Sequence, residues 1–233
     1  FPGDPGRPLA ALSFMIEDQA SPSDPSPFKR TNLLLHLLNG LLVFGLVRCL
    51  ARPRLTQRAG AVAGLRAAAA WLLHPMQLST TMLVVQRMTI LMTMVSLAAT
   101  WWAAHYLQRA SLTLSRSLWL LFVTAFATVT AYLCKENGAL LPLYIAVIAV
   151  TLLRPAFQSG DLQARRLLLV GLAIPILAIL AYLAATVVRY VPDGLRDFTP
   201  IERLMTQSRV IADYLARLAV PQMRGSGLFH DDF

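Results

Sequence analysis

Apolar and polar positions along this chain do not alternate; they gather into long apolar runs broken by short polar islands. Six runs are predicted as membrane-spanning helices: Leu33–Arg48, Ala61–Thr80, Met88–Leu107, Ser117–Cys134, Gly138–Leu153 and Leu167–Val188. A hydrocarbon core needs roughly 20 mostly apolar helical residues to cross it, and these runs approach that length. Barrel strands would instead alternate in and out over about ten residues. The predicted fold is therefore an all-α, polytopic membrane helical bundle of about six spans. The second run is interrupted at His74-Pro75 and the fifth is short.

Composition agrees with the pattern. The chain is 56% hydrophobic and only 14% charged, with a mean hydropathy of +0.57, outside the range of ordinary soluble domains. Charge then supplies the orientation. Arg48, Arg52, Arg54, Arg58 and Arg66 surround the first connection, Arg109 and Arg116 flank the third, and Arg154, Arg165 and Arg166 fill the fifth, against one acid, Asp161. The alternate connections hold only Arg87 and Lys135, so the positive-inside rule places the arginine-rich loops in the cytoplasm. Trp101, Trp102, Tyr106 and Trp119 fit an aromatic belt at that same inner interface. The net charge of +9 is dispersed loop arginine, which topology and anionic lipid explain without a nucleic-acid partner.

The three polar islands, His74-Pro75-Met76-Gln77, Gln86-Arg87 and Lys135-Glu136-Asn137, then all face outward. Cys49 and Cys134 fall on opposite sides of the bilayer and cannot bridge each other. His36, His74, His105 and His230 lack metal-site spacing, so no metal ligand set and no cofactor motif is read here. Residues 1–32 form an outer segment. Six of the fourteen prolines lie among residues 1–30, which predicts an extended or turn-rich loop. That outward placement creates the expectation of a further span upstream, and the Phe229–Phe233 ending the expectation that the chain continues. Residues 189–233 form a last outer segment: Thr199-Pro200-Ile201-Glu202 reads as a capping box opening an amphipathic helix over about 200–220, which either lies on the outer leaflet or packs on the bundle.

Five ordered motifs, Arg7-Pro8-Leu9 with Ser13-Phe14, Asn32-Leu33-Leu34-Leu35-His36, Leu73-His74-Pro75, Gln86-Arg87 and Lys135-Glu136-Asn137-Gly138, resemble a known set. Over roughly residues 6–138 the chain is similar to polytopic GT-C-fold glycosyltransferases. The likeness is to bacterial relatives of the cadherin-type transmembrane O-mannosyltransferases, which often carry tetratricopeptide repeats after the membrane domain. The resemblance implies transfer of a sugar from a polyprenyl-phosphate carrier to an acceptor hydroxyl, on protein or glycan, at the periplasmic face of a bacterial inner membrane. Metal dependence is not readable from the sequence.

That chemistry needs a cation for the lipid phosphate, a carboxylate for the acceptor proton and polar groups for the sugar. Arg87, Lys135 and Arg7 are the phosphate candidates, with interfacial anchoring or a solvated loop charge as the alternative for each. Glu17, Asp18 and Glu136 are the candidate bases, alongside Asp231 and Asp232; in the family the base lies in the first outer loop, here mostly upstream of Phe1. His74 and Pro75 mark a helix break suited to a cavity wall, or a His capping helix carbonyls. Gln77, Gln86 and Asn137 could bond sugar hydroxyls or local backbone. His36 and Asn39 should face the bundle and hydrogen-bond between helices. A non-catalytic membrane scaffold, a lipid-linked glycan ligase and a transporter remain the competing classes.

Overall fold

A computed structural model describes residues 7–20, 24–151, 161–188 and 200–220. Those residues are helical and contain no strand, so the chain is an all-α membrane helical bundle. The helices are α1 (Pro8–Ala20), α2 (Pro25–Ala51), α3 (Gln57–Leu73), α4 (Gln77–Met82), α5 (Arg87–Arg109), α6 (Leu114–Cys134), α7 (Leu141–Val150), α8 (Leu162–Val188) and α9 (Pro200–Ala219). Short 3-10 turns precede α5 (Val84–Gln86) and α7 (Glu136–Leu140).

Four helical stretches are long and apolar enough to cross a membrane: Pro25–Ala51, Val84–Arg109, Leu114–Cys134 and Leu162–Tyr182. Their outward faces carry Leu34, Leu41, Phe122, Phe126 and Ile174, each more than 60% exposed, as lipid-facing positions should be. The other two predicted spans are also helical but shorter, α3 with 17 residues and α7 with 10. Arg66 lies nine residues past Gln57, inside α3 rather than in the connection before it. The His74-Pro75 break then ends α3 at Leu73, where the expected single run would have continued. Leu152 and Leu153 lie outside the described residues.

The N-terminal segment is a correction. Residues expected as an extended loop contain α1 and the start of α2, because the prolines described there, Pro8, Pro25 and Pro27, sit in the first turn of a helix rather than deeper inside it. Pro8 and Pro25 occupy first-turn positions, where the missing N–H has no helical partner to lose. Asp24 caps α2 by accepting from the Ser26 backbone N–H at 2.9 Å.

The core is built from α5, α6, α7 and α8 around Ala104, Leu107, Leu120, Leu141, Ile145 and Leu168. Helix α2 packs against α3 and α5. It approaches α3 closely: a Cβ on Gly64 would come within 2.8 Å of the Phe44 carbonyl, the small-residue packing that membrane helices use in place of a hydrophobic drive. The nitrogens of a polar stripe on α2 are met by carbonyls of its neighbours, while the buried Asn39 Oδ1 has no partner among the described residues. Asn32 Nδ2 donates to Leu83 O at 3.1 Å, His36 Nε2 faces Leu72 O at 3.3 Å, and Asn39 Nδ2 donates to Ile90 O at 3.1 Å. The expected inward facing of His36 and Asn39 is what the structure has.

The contacts define two ends. At one, Gln108 Nε2 donates to Cys49 O at 3.1 Å, Arg116 Nη2 donates to Tyr106 O at 2.5 Å, and Ser117 Oγ donates to Ala164 O at 2.9 Å. This arginine-rich end carries the stacked Trp102–Tyr106 and Trp119–Phe122 pairs, with centroids 5.0 and 5.5 Å apart. At the other end α1 meets the starts of α2 and α5 and the close of α6. Cys49 and Cys134, both free and buried, belong to opposite ends. Helix α9 leaves Ile211, Leu215 and Leu218 at least 56% exposed and carries an Asp213–Arg217 ion pair of 2.7 Å along one turn. Thr199, the expected cap, lies outside the described residues, as do the side chains of Ile201 and Leu204.

Candidate functional site

Arg87, the first residue of α5, is 1% exposed. An isolated guanidinium cannot be left there, so the surroundings must answer its charge and its five N–H groups. They do. Nε donates to Asn32 Oδ1 at 2.9 Å, Nη1 to the Ser13 carbonyl at 3.3 Å and Nη2 to the Phe28 carbonyl at 3.0 Å. Glu17 of α1 supplies the counter-ion, and its other oxygen accepts from Thr31 Oγ1 at 2.6 Å. The rings of Phe14 and Phe28 lie 5.0 and 5.2 Å from the guanidinium carbon, an added cation–π contribution.

Thus Arg87 is the clamp that fixes α1 and the start of α2 to the head of α5. Its fork is spent on protein partners, so the phosphate-binding role expected of it is not how the residue stands. Glu17 is corrected in the same way: it is held as a partly buried counter-ion and not as a free base. Asp18, one residue on, is exposed and makes no hydrogen bond or ion pair among the described residues.

A second, more exposed cluster sits beside this clamp. Arg7 Nε and Nη2 donate to Glu136 Oε1 and Oε2 at 2.9 and 3.1 Å in a bidentate pair whose side chains are 33% and 52% exposed. Arg7 Nη1 also reaches Met88 Sδ at 3.3 Å. Lys135 Nζ donates to Thr89 Oγ1 at 2.7 Å, and that hydroxyl donates to Gln86 Oε1 at 2.8 Å. Two of the three islands and the Arg7 motif therefore meet at one end of the bundle. Asn137 is exposed there, with no side-chain hydrogen bond among the described residues.

The electrostatics of this rim are uneven. Arg7 and Glu136 neutralise each other, whereas Lys135 has a neutral hydroxyl as its direct partner. Partial burial, then repulsion from Arg7, pulls the Lys135 pKa below its usual value, and Glu136 opposes that shift. The rim therefore carries one cation more than it has carboxylates, and an incoming anion would relieve it. Glu136 is held below the usual carboxylate range by a backbone N–H of its own turn and then by the Arg7 side chain. A carboxylate stabilised as an anion is a weak base, which argues against the general-base role expected of Glu136.

This shift has a pH consequence. A carboxylate whose folded pKa is depressed contributes fully above its ordinary value of 4.5 and loses that contribution as pH falls through the lower folded value. A fluorophore on an Asp18→Cys variant, reporting the docking of α1, should give a constant signal from pH 8 to 5 and change only below about pH 4.5. Adding Glu136→Gln should diminish that acid step.

The His74 island stands apart, with no hydrogen bond or ion pair to this cluster among the described residues. His74 ends α3 with extended backbone, its Nδ1 accepts from the Met76 N–H at 3.2 Å, and its carbonyl accepts from Gln77 N at 2.9 Å. Pro75 thus turns the chain from α3 into α4. His74 Nε2 is buried without a partner among the described residues, an open hydrogen-bonding position at the break. The Gln77 side chain makes no hydrogen bond there either.

Sequence reasoning missed Thr89, Thr31 and Phe28. Thr89 lies one turn beyond Gln86 on a helical face, a spacing that could have joined it to the island. Asp231 and Asp232 lie outside the described residues. Among those described, no three His, Cys, Asp or Glu side chains converge as metal ligands. The chain matches no family model, no curated protein and no solved structure. What the fold defines is the class: an all-α membrane helical bundle with a polar cluster at one end and an arginine-rich opposite end.

Proposed function

We propose that this bundle is the membrane part of a glycosyltransferase of GT-C type. It would move a sugar from a polyprenyl-phosphate carrier to an acceptor hydroxyl on the periplasmic side of a bacterial inner membrane. The observation that carries this reading is Lys135, a half-buried cation bonded to a neutral hydroxyl, beside a second cation, Arg7, at the polar end of the spans. That is a place for a carrier phosphate at headgroup depth, with Lys135 as a point charge and the Arg7 fork within reach once Glu136 yields it. In the transfer the acceptor oxygen would bond to the sugar's anomeric carbon as the bond to the carrier phosphate breaks, a carboxylate base would take the acceptor proton, and Lys135 would stabilise the leaving phosphate. Glu17 and Glu136 are engaged in ion pairs, which leaves Asp18 as the candidate among the three for that base.

The order and common sidedness of the motifs support the same reading, and the Arg87 clamp gives them a reason to stay together. That clamp also favours a second reading. Arg87 is answered by Asn32, the Ser13 and Phe28 carbonyls and Glu17, all within the protein, as the keystone of a non-catalytic scaffold would be. The two readings separate at the rim. In the full-length protein, Lys135→Ala should lower sugar transfer by about 100-fold or more while insertion and thermal unfolding stay unchanged. Unchanged transfer would leave the scaffold as the better account.

A further inference from the structure

The arginine-rich end holds a feature the transfer reading does not use. A groove of about 680 Å³ opens between α2 and α5, walled by Leu41, Phe44, Ala98 and Trp101. This is within the range of about 300–1,000 Å³ typical of cavities that hold small ligands. A smaller cavity of about 240 Å³ lies against the turn between α2 and α3 and includes Thr56 and Gln57. The same two residues, Arg48 and Arg52, line both. Neither arginine makes a side-chain hydrogen bond or ion pair among the described residues, and no acid lines either space.

Arginine near the end of a span commonly snorkels to water, and that alone would explain one such residue. It does not explain an apolar groove and a polar cavity that meet at two unanswered guanidiniums. The juxtaposition has the form of an amphiphile: an apolar body, a negative charge and a polar tip, in that order. Basic pockets between spans on the cytoplasmic side suit anionic lipid headgroups, and the positive-inside rule puts this end in that leaflet.

We infer that the cleft between α2 and α5 binds one anionic glycerophospholipid of the inner leaflet, with an acyl chain along Phe44 and Trp101 and its phosphate between Arg48 and Arg52. The headgroup reaches Thr56 and Gln57. Such a lipid would brace α2 against α5 at the end opposite the Arg87 clamp.

The test is native mass spectrometry of the full-length protein with dioleoylphosphatidylglycerol or dioleoylphosphatidylcholine, circular dichroism confirming the fold of each variant. One phosphatidylglycerol should be retained selectively. The Arg48→Ala/Arg52→Ala pair should weaken it about 10- to 30-fold. Ala98→Trp, which fills the groove and keeps both charges, should weaken it comparably, and Arg58→Ala, an exposed arginine outside both cavities, should leave it unchanged. Three results would overturn the assignment: equal retention of both lipids, which means annular lipid; equal loss with Arg58→Ala, which means diffuse attraction; or full binding in Ala98→Trp. A dimer in place of a lipid-bound monomer would do so as well, by assigning the groove to a second copy.

Discussion

Arg87→Ala should destabilise the bundle by about 3 kcal/mol, because it strands Glu17, whose side chain is only 15% exposed, without its counter-ion. The loss is larger than a single hydrogen bond would give, since charge-assisted bonds contribute only about 1.5–3 kcal/mol each and three leave together with the ion pair. Equilibrium unfolding in mixed micelles measures it. Arg87→Lys should recover part of the loss, keeping the charge but not the fork that reaches Asn32, Ser13 and Phe28 at once. The decisive variant is the double replacement Arg87→Met/Glu17→Leu. Removing both charges from a buried pair is close to neutral or stabilising, so the double variant should be far more stable than Arg87→Ala alone. A double variant as unstable as the single one would mean that the ion pair is not what holds α1 to the bundle.

Gly138 carries the second large effect. A Cβ there would lie 2.3 Å from the Ala131 carbonyl carbon and 2.5 Å from the Tyr132 nitrogen, and neither backbone atom can rotate away. Overpacking of a close-packed site usually costs about 1–3 kcal/mol, and a clash with helical backbone belongs at the upper end. Gly138→Val should therefore push the 136–140 turn off the end of α6 and carry Lys135 and Glu136 with it. Stability should fall by roughly 3 kcal/mol and the Arg7–Glu136 pair should open. Wild-type stability in Gly138→Val would show that this turn has room the structure denies it.

These two residues mark what the sequence made legible. Each of the six apolar runs falls on helix among the described residues, and four of the helical stretches are long enough to cross a membrane, since burial in lipid demands continuous hydrophobicity and internally satisfied backbone. The polar islands were legible for the same reason: a polar residue beside a span has to be explained. Proline misled at the N-terminus, where its frequency suggested a loop; position within the first turn decides its effect, and Pro8 and Pro25 start helices. Arg87 was visible as a residue but not as a clamp. Its partner Asn32 is 55 residues away, and nothing local in the sequence pairs them. The readable clues were indirect: an Asn inside an apolar run, and an arginine at the head of a span, each too costly to bury unanswered. Lys135 was legible as a candidate cation, whereas Thr89, which holds it, was hidden among the apolar residues of α5.

The place proposed for the carrier phosphate requires that the polar islands share one face of the membrane and the arginine-rich connections share the opposite one. Thiol labelling with an impermeant reagent in intact cells tests it, in a background with Cys49→Ala and Cys134→Ala so that single new cysteines report alone. Ser79→Cys and Asn137→Cys should react from outside, and Ser115→Cys should react only after the membrane is opened. Reaction of Ser115→Cys in intact cells, with protection of the other two, would contradict the topology and with it the place proposed for the carrier phosphate.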